Sequence, residues 1–476
     1  MSNENHKINA VEQCLRYKIQ IKDNENYQMK LSERMVHYNV QGVSIAVINQ
    51  GQLEWAKAYG RVGSSQEIIN INSETLFQAA SISKSINVIG ALLLVQNGLL
   101  SLDEDINQYL TSWKIPANEF TQEEKVTLRR LLSHSAGINV HGFPGYTTES
   151  LIPNTIDILE GKKSFVATDP VRVIHKPGSK FQYSGGGTTI SQLLIEDITG
   201  EEYAVWMERN VLKPLGMKSS TFRQPLPIEY QHKATAGYDH SGRMINGRWH
   251  VYPEKAAAGL WTTPTDLAYF LIEVLKMLKQ PEAGLIKPSL MKEAITSQIQ
   301  IEQWYSDTIS EASGLGFFLS GSAGNFKIAH DGGNAGFISR FIALPDQGQG
   351  FVIMVNNEGA FSLIDEITHS IADIYDMTGF ESIVKTEITM DITLYTCFLG
   401  TYKHEDDELT ISQFNDKLFL SFPYTQEMQL HREKDDIFFV KEGSDSVKLI
   451  KSKENECTVQ IINKDRKLYI RASNKT

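Results

Sequence analysis

The sequence predicts an α+β fold, an antiparallel sheet flanked by helices with a large helical insertion, followed by a C-terminal all-β barrel. Three observations carry this expectation. Short β-prone runs stand near both ends of the segment 1–387, and the stretch between them is mostly helical in pattern. Beyond about Met390 the texture changes to short, evenly spaced β-prone segments.

A helical pattern over Tyr27 to Tyr38 leads into Val43 to Ile48, an apolar run rich in β-branched residues. Asn49-Gln50-Gly51 turns the chain into a second strand, Leu53 to Tyr59, so the pair reads as a hairpin. From about Ser81 to Leu278 the signals are helical, interrupted by loops rich in Gly, Pro and Ser. Strands return at Phe326 to Ala329, Phe337 to Leu344 and Phe351 to Val355, and a helical stretch follows over Leu363 to Tyr375. A sheet assembled from both ends around inserted helices is an α+β layer architecture. The expected domains are therefore 1–387, with a helical subdomain at about 81–278, and 388–476. In the latter, β-prone runs begin at Leu409, Leu418, Ile437 and Val459. Turn clusters at Asn415-Asp416, Asp435-Asp436, Gly443 to Asp445 and Asn463 to Asp465 separate strands. That spacing suits a small barrel or sandwich of about eight strands.

Bulk properties exclude some functions. The 476 residues carry 46 basic and 57 acidic side chains, a net charge of −11, which disfavours nucleic acid or an anionic membrane as partner. The longest apolar run, Val88 to Val95, is too short to span a bilayer, so no integral membrane segment is expected. Cys14, Cys397 and Cys457 are few, odd in number and far apart, which fits a reducing compartment without a disulfide framework. The first thirty residues show no apolar signal region. The expected location is cytoplasmic if Met1 is native, and periplasmic or secreted if the chain was trimmed.

Chemistry concentrates in three places. Phe77-Gln-Ala-Ala-Ser81-Ile-Ser-Lys84 opens a long apolar helix, Ile86 to Leu100, and residues three apart share a helix face. An amine desolvated beside a hydroxyl can take its proton, and free N–H groups at a helix start favour a developing oxyanion. The spacing alone is weak, since Ser289 to Lys292 and Ser382 to Lys385 repeat it. Lys180-Phe-Gln-Tyr183-Ser-Gly185 sets a tyrosine before three glycines, and His330-Asp-Gly332-Gly333-Asn334 follows a strand. Singly, these read as a helix-cap serine, a hydrogen-bonded buried tyrosine and a glycine-rich turn.

Taken together and in this order, the three segments resemble the motif set of the serine β-lactamase-like and penicillin-binding-protein superfamily, in its class C β-lactamase, D-aminopeptidase and esterase branch. Ser81-x-x-Lys84 matches the first motif, Tyr183-Ser-Gly185 stands where Tyr-x-Asn is expected, and His330-Asp-Gly332 where Lys-Thr-Gly or His-x-Gly is expected. Leu128 to Gly137, Leu212 to Met217 and Ala256 to Asp266 are also family-like, and the likeness covers about Tyr27 to Ile374. In that context His134 reads as a satisfied turn histidine, and Asp103 and Asp266 as helix-start residues.

The resemblance implies a covalent acyl-enzyme. Ser81 attacks, Lys84 takes its proton, and Tyr183 relays it to the leaving group and then activates water. Backbone N–H groups of Ser81 and Gly333 would form the oxyanion hole. His330 would orient Tyr183 or, when protonated, bind a substrate carboxylate. Gly185, Trp249, His250, Tyr252 and Asn334 are candidate substrate-binding residues. Two departures, Gly185 for asparagine and His330 for lysine, count against β-lactam hydrolysis and towards an ester, amide or D-amino-acid peptide substrate. The barrel resembles the lipocalin-like modules of some superfamily peptidases. The implied partners are a small molecule or short peptide, with a homo-oligomer in view; no cofactor and no metal are implied.

Other classes fit worse. Gly-x-Ser-x-Gly, His-Glu-x-x-His, paired Cys-x-x-Cys and a Walker loop are all missing from the sequence. The alternatives that stay open are a non-catalytic binder of peptides or cell-wall fragments on the same fold, and a β-lactamase or DD-carboxypeptidase.

Overall fold

In the computed structural model, residues 3–23, 28–64, 67–279, 284–302, 310–405, 407–423, 425–443, 446–452, 457–462 and 468–471 are described. The described chain forms two compact units, one of residues 39–302 and 308–360, the other of residues 1–38 with 361–476.

The first unit is built on a mixed-length antiparallel sheet. Its strands are β1 (Gly42–Asn49), β2 (Gln52–Ser64), β3 (Glu67–Asn70), β4 (Ile299–Gln300), β5 (Ala312–Ser313), β6 (Phe318–Ser320), β7 (Lys327–Asn334), β8 (Phe337–Leu344) and β9 (Gln349–Val355). They lie in the order β3-β2-β1-β9-β8-β7-β6-β5-β4. The expected hairpin is present: Gln50 and Gly51 take φ of 53° and 73°, the left-handed pair that matches strand twist. Every residue of β8 is buried, including Ser339 and Arg340, and Arg340 is paired with Asp331 of β7 at 2.7 Å.

Between β3 and β4 the helices α1 (Ser83–Gln96), α2 (Gly185–Thr199), α3 (Lys255–Ala258) and α4 (Pro264–Lys279) are inserted. Helix α4 is amphipathic and lays its apolar face against β1, β2 and β9. Phe270 on it stacks on Phe317 and meets Phe341 of β8 edge-on. Asp266 sits in the first turn of α4 as expected, but Asp103 instead pairs with Arg129 at 2.6 Å.

One difference bears on the site. His330 to Asn334 do not form the turn after β7; they are its second half, paired residue by residue with Phe337 to Phe341. The turn is Ala335-Gly336, where Gly336 has φ of 80°.

The second unit contains a closed barrel of eight strands. These are β10 (Gly400–His404), β11 (Asp407–Phe414), β12 (Lys417–Ser421), β13 (Met428–Lys434), β14 (Ile437–Phe439), β15 (Ser446–Lys451), β16 (Cys457–Ile462) and β17 (Leu468–Arg471). Each strand pairs with the next, and Tyr402↔Arg471 and Lys403↔Ile470 close the ring, so no edge is left open. Leu409, Ile411, Leu418, Leu420, Val447, Leu449, Val459 and Ile461 point into a shared core at period two. The turns expected at 415–416 and 435–436 are present, with Asn415 and Asp435 at positive φ, whereas those at 443–445 and 463–465 fall largely outside the described residues. Cys397 and Cys457, remote in sequence, meet here as unoxidised thiols; burial and then the Cys397 side chain push Cys457 up to about 11.

The rest of this unit brings together the two ends of the long first segment. Ile19–Ile21 pairs in parallel with Ile383–Lys385. Arg34 makes a two-pronged pair with Glu366, at 2.8 and 2.7 Å, on the helix Phe361–Ile374, and Tyr38 Oη donates to the same carboxylate. The boundary expected between 387 and 388 lies inside this unit. No described helix is long and apolar enough to cross a membrane.

Candidate active site

Phe77–Gln78 is a two-residue strand paired with Trp261–Thr262, and it delivers the chain to a tight turn over Ala80–Ile82. Ala80 holds φ of 49°, a strained conformation for a residue with a Cβ, and Ser81 follows it, partly exposed. Helix α1 starts two residues later than the motif suggests, but the geometry between motif residues is kept. Lys84 Nζ lies 3.0 Å from Ser81 Oγ and 2.7 Å from the carbonyl oxygen of Ala257 on α3, and its side chain is 4% exposed. The other two Ser-x-x-Lys runs fall on the helix Pro288–Ala294 and at the strand Ile383–Lys385, away from any such arrangement.

Tyr183 is buried directly before α2, whose N-cap Ser184 accepts the Gly187 N–H. Its ring stands 5.1 Å from Lys84 Nζ. Three histidine rings surround it, His134 at 4.3 Å, His141 at 4.9 Å and His330 at 6.4 Å between centroids. Burial lowers the pKa of His330 to about 3, with the Lys84 charge adding to the effect. His330 Nδ1 is 2.6 Å from the Asp331 carbonyl, which can only accept, so the proton of the neutral ring is on Nδ1 and Nε2 is an acceptor. An uncharged His330 cannot grip a carboxylate by charge, which removes the second of its two expected roles.

Strand β7 crosses the nucleophile turn at very short range. A Cβ on Gly332 would stand 2.2 Å from Ala79 O and 2.5 Å from Ser339 Oγ, so only glycine fits. Next to it, Gly333 is exposed, with open space where its Cβ would be. Asn334 is committed elsewhere: its amide donates to Gln78 Oε1 at 2.8 Å and to Ala258 O at 3.1 Å. Gln78 in turn donates to His250 O at 2.7 Å, a buried link that the sequence does not announce.

The remaining expected site residues divide. His250 is partly exposed, with Nδ1 donating to Pro144 O at 3.0 Å. Trp249 is buried edge-on against Trp261, and Tyr252 is fully buried, its hydroxyl tying Pro144 O to the Ala335 N–H. Both are buried and present no surface for a substrate. The segment around Gly185 is covered by a loop that sequence reasoning passes over. His141 O and Val140 O accept the Gly185 and Gly186 N–H groups, and Phe143 lies where a Cβ on Gly185 would come within 2.8 Å of its ring. An apolar ring therefore occupies the space that a side chain at position 185 would enter.

Glu254, capping α3 through its carbonyl, is fully buried, and among the described residues neither of its carboxylate oxygens has a hydrogen-bond partner. Desolvation raises it to about 8. The folded protein thus holds a proton that the unfolded chain releases above the ordinary value of 4.5, so stability falls as pH rises between 4.5 and 8. Each pH unit there is worth up to about 1.4 kcal/mol. The variant Glu254→Gln should melt like wild type at pH 4.5 and increasingly above it towards pH 8, as scanning calorimetry across that range would show. A gap that is constant with pH would contradict this.

Residues 28–375 match the family model described as Beta-lactamase. The chain belongs to the beta-lactamase family. Among curated members, the protein flp of Staphylococcus aureus strain MW2 is 26% identical over 320 residues, covering 67% of this chain and 60% of that protein. This chain therefore spans about 60% of the length of such relatives. Among solved family folds, the octameric penicillin-binding protein homologue from Pyrococcus abyssi aligns over 92% of this chain and 98% of its own, with TM-score 0.63 and 20% identity. The D-amino acid amidase from Ochrobactrum anthropi SV3 aligns over 78% and 99%, with TM-score 0.59 and 21% identity. These likenesses show the beta-lactamase fold. Among the described residues no cluster of ligands suited to a metal ion occurs.

Proposed function

We propose that this chain is a serine hydrolase that forms an acyl-enzyme on an ester or on an amide of the D-amino-acid type. The observation that carries the reading is the placement of Lys84 Nζ between Ser81 Oγ and Ala257 O. Once it has given up a proton, the Lys84 amine keeps one N–H on Ala257 O and presents its lone pair to the Ser81 hydroxyl. As Ser81 Oγ bonds to the acyl carbon, its proton passes to Lys84. Tyr183, beside Lys84, then gives its hydroxyl proton to the leaving group and takes the proton held by Lys84 in return. Water deacylates the serine by the reverse route, its proton returning to Ser81 Oγ. The backbone N–H groups of Ser81 and Gly333 are the donors this reading assigns to the oxyanion; Gly333 is exposed, with open space beside its Cα.

Neutral His330 and the Phe143 ring over Gly185 favour an uncharged, less polar substrate over a β-lactam bearing a carboxylate. The relationship to a D-amino acid amidase supports the amide arm. The octameric neighbour supports assembly of this chain with copies of itself.

Turnover of p-nitrophenyl acetate and butyrate, D-alanine p-nitroanilide, a D-Ala-D-Ala peptide and nitrocefin, by wild type and Ser81→Ala, tests this reading. Hydrolysis of an ester or the anilide that is lost in Ser81→Ala is expected. Nitrocefin as the best substrate would overturn the substrate class, and inertness to all five would favour a binding protein.

A further inference from the structure

His134 is the nearest of the three histidine rings to Tyr183, and it has no assigned task in the chemistry above. It is 4% exposed and holds φ of 56°, in the left-handed region that is uncommon for residues with a Cβ. That backbone lets it touch the tyrosine segment three times. Its Nδ1 accepts the N–H of Ser184 at 3.2 Å, its carbonyl accepts the N–H of Gln182 at 2.7 Å, and its ring packs at 36° to the Tyr183 ring with 4.3 Å between centroids. The residues on both sides of Tyr183 are thus bonded to one residue, and the tyrosine ring rests on that residue's side chain.

Acceptance of a backbone N–H requires a lone pair on Nδ1, so the ring is neutral with its proton on Nε2. The surroundings agree: burial drives its pKa well down, and the positive charge of Lys84 and then the other two histidines push the same way. A charged ring would lose the bond to Ser184 and set a second cation near Lys84.

We infer that His134 is a positioning residue, which fixes the Tyr183 hydroxyl relative to Ser81 and Lys84. The inference rests on the proposed role of Tyr183 as proton relay. It is not a base itself, because the nitrogen with the lone pair is spent on Ser184.

A double-mutant cycle on p-nitrophenyl acetate turnover tests it, with His134→Asn, Tyr183→Phe and the pair. Asparagine tolerates the left-handed backbone and offers a carbonyl to Ser184, so it keeps the loop while deleting the ring surface; His134→Gly deletes both ring and acceptor. The expected kcat falls about tenfold in His134→Asn and about a hundredfold in His134→Gly, with KM within about threefold of wild type. In the Tyr183→Phe background neither change should lower kcat further, because a residue acting through Tyr183 has nothing left to position. Losses that add in the double variants would overturn the inference, as would an unchanged kcat in a folded His134→Asn. Wild type inert to both the ester and a fluorophosphonate would instead overturn the hydrolase reading on which it stands.

Discussion

Replacing Lys84 by methionine should lower kcat/KM for the preferred substrate at least about a thousandfold, the scale expected when a serine loses the base that activates it. The side chain is nearly the same length and the site is buried, so the change removes the amine while filling most of its volume. Lysine at that place otherwise has two partners, Ser81 Oγ and Ala257 O, and the carbonyl of Ala257 would lose its donor. That loss costs stability of about 1–3 kcal/mol. The two effects separate cleanly: steady-state kinetics reads the first and chemical denaturation the second. A Lys84→Met protein that is folded and retains more than a tenth of the activity would show that another group takes the proton.

The second large effect is expected at a residue with no side chain. Gly332→Ala places a methyl 2.2 Å from the carbonyl oxygen of Ala79, one residue before the strained Ala80 and two before Ser81. Backbone cannot yield as a flexible side chain can, so β7 must move away from the nucleophile turn. That movement breaks the Ser339 hydroxyl bond to Ala79 O, now 2.9 Å, and shifts the Gly333 N–H relative to Ser81. Overpacking of this kind costs about 1–3 kcal/mol, and a displacement of an ångström in a catalytic constellation can cost about a hundredfold in rate. Gly333→Ala is the control: its Cβ meets open space, so the fold should tolerate it and only substrate access should change. Equal melting temperatures for Gly332→Ala and wild type would show that the contact is not a constraint.

Much of this site is legible in the residues themselves. Ser81, Lys84, Tyr183 and His330 do come together, because each rides on an element whose start is marked in sequence: the turn into α1, the glycine run that opens α2, and β7. The spacing of Ser81 and Lys84 works because the turn runs directly into the helix. The identical spacing at Ser289 and Ser382 is uninformative, since nothing local distinguishes it. Three features escape for physical reasons. His330 to Asn334 have turn-like composition, yet pairing with the fully buried β8 holds them extended, a case of tertiary pairing outweighing local preference. Trp249 and Tyr252 look like pocket aromatics in a loop, and the structure buries them instead, Trp249 against Trp261 and Tyr252 with its hydroxyl between Pro144 and Ala335. The loop from Asn139 to Gly145 has no periodicity to read, and it alone supplies His141 and Phe143 around Tyr183 and Gly185.

The barrel shows the same division. Strands β11, β12, β14 and β16 carry enough apolar residues to be read directly. Met428 to Lys434 and Ser446 to Lys451 do not, because they give the barrel core only Leu430, with Met428 beside it, and Val447 and Leu449, among mostly polar and charged residues. Their strand state comes from the closed ladder on both sides.

The central claim is that Ser81 is an activated nucleophile, and covalent capture reads it most directly. The full chain, incubated with a fluorophosphonate and analysed by intact and peptide mass spectrometry, should gain one adduct, carried by the peptide that contains Ser81. Labelling should fall sharply in Lys84→Met and vanish in Ser81→Ala. A folded wild-type protein that never gains the adduct, or gains it at a residue other than Ser81, would contradict the account.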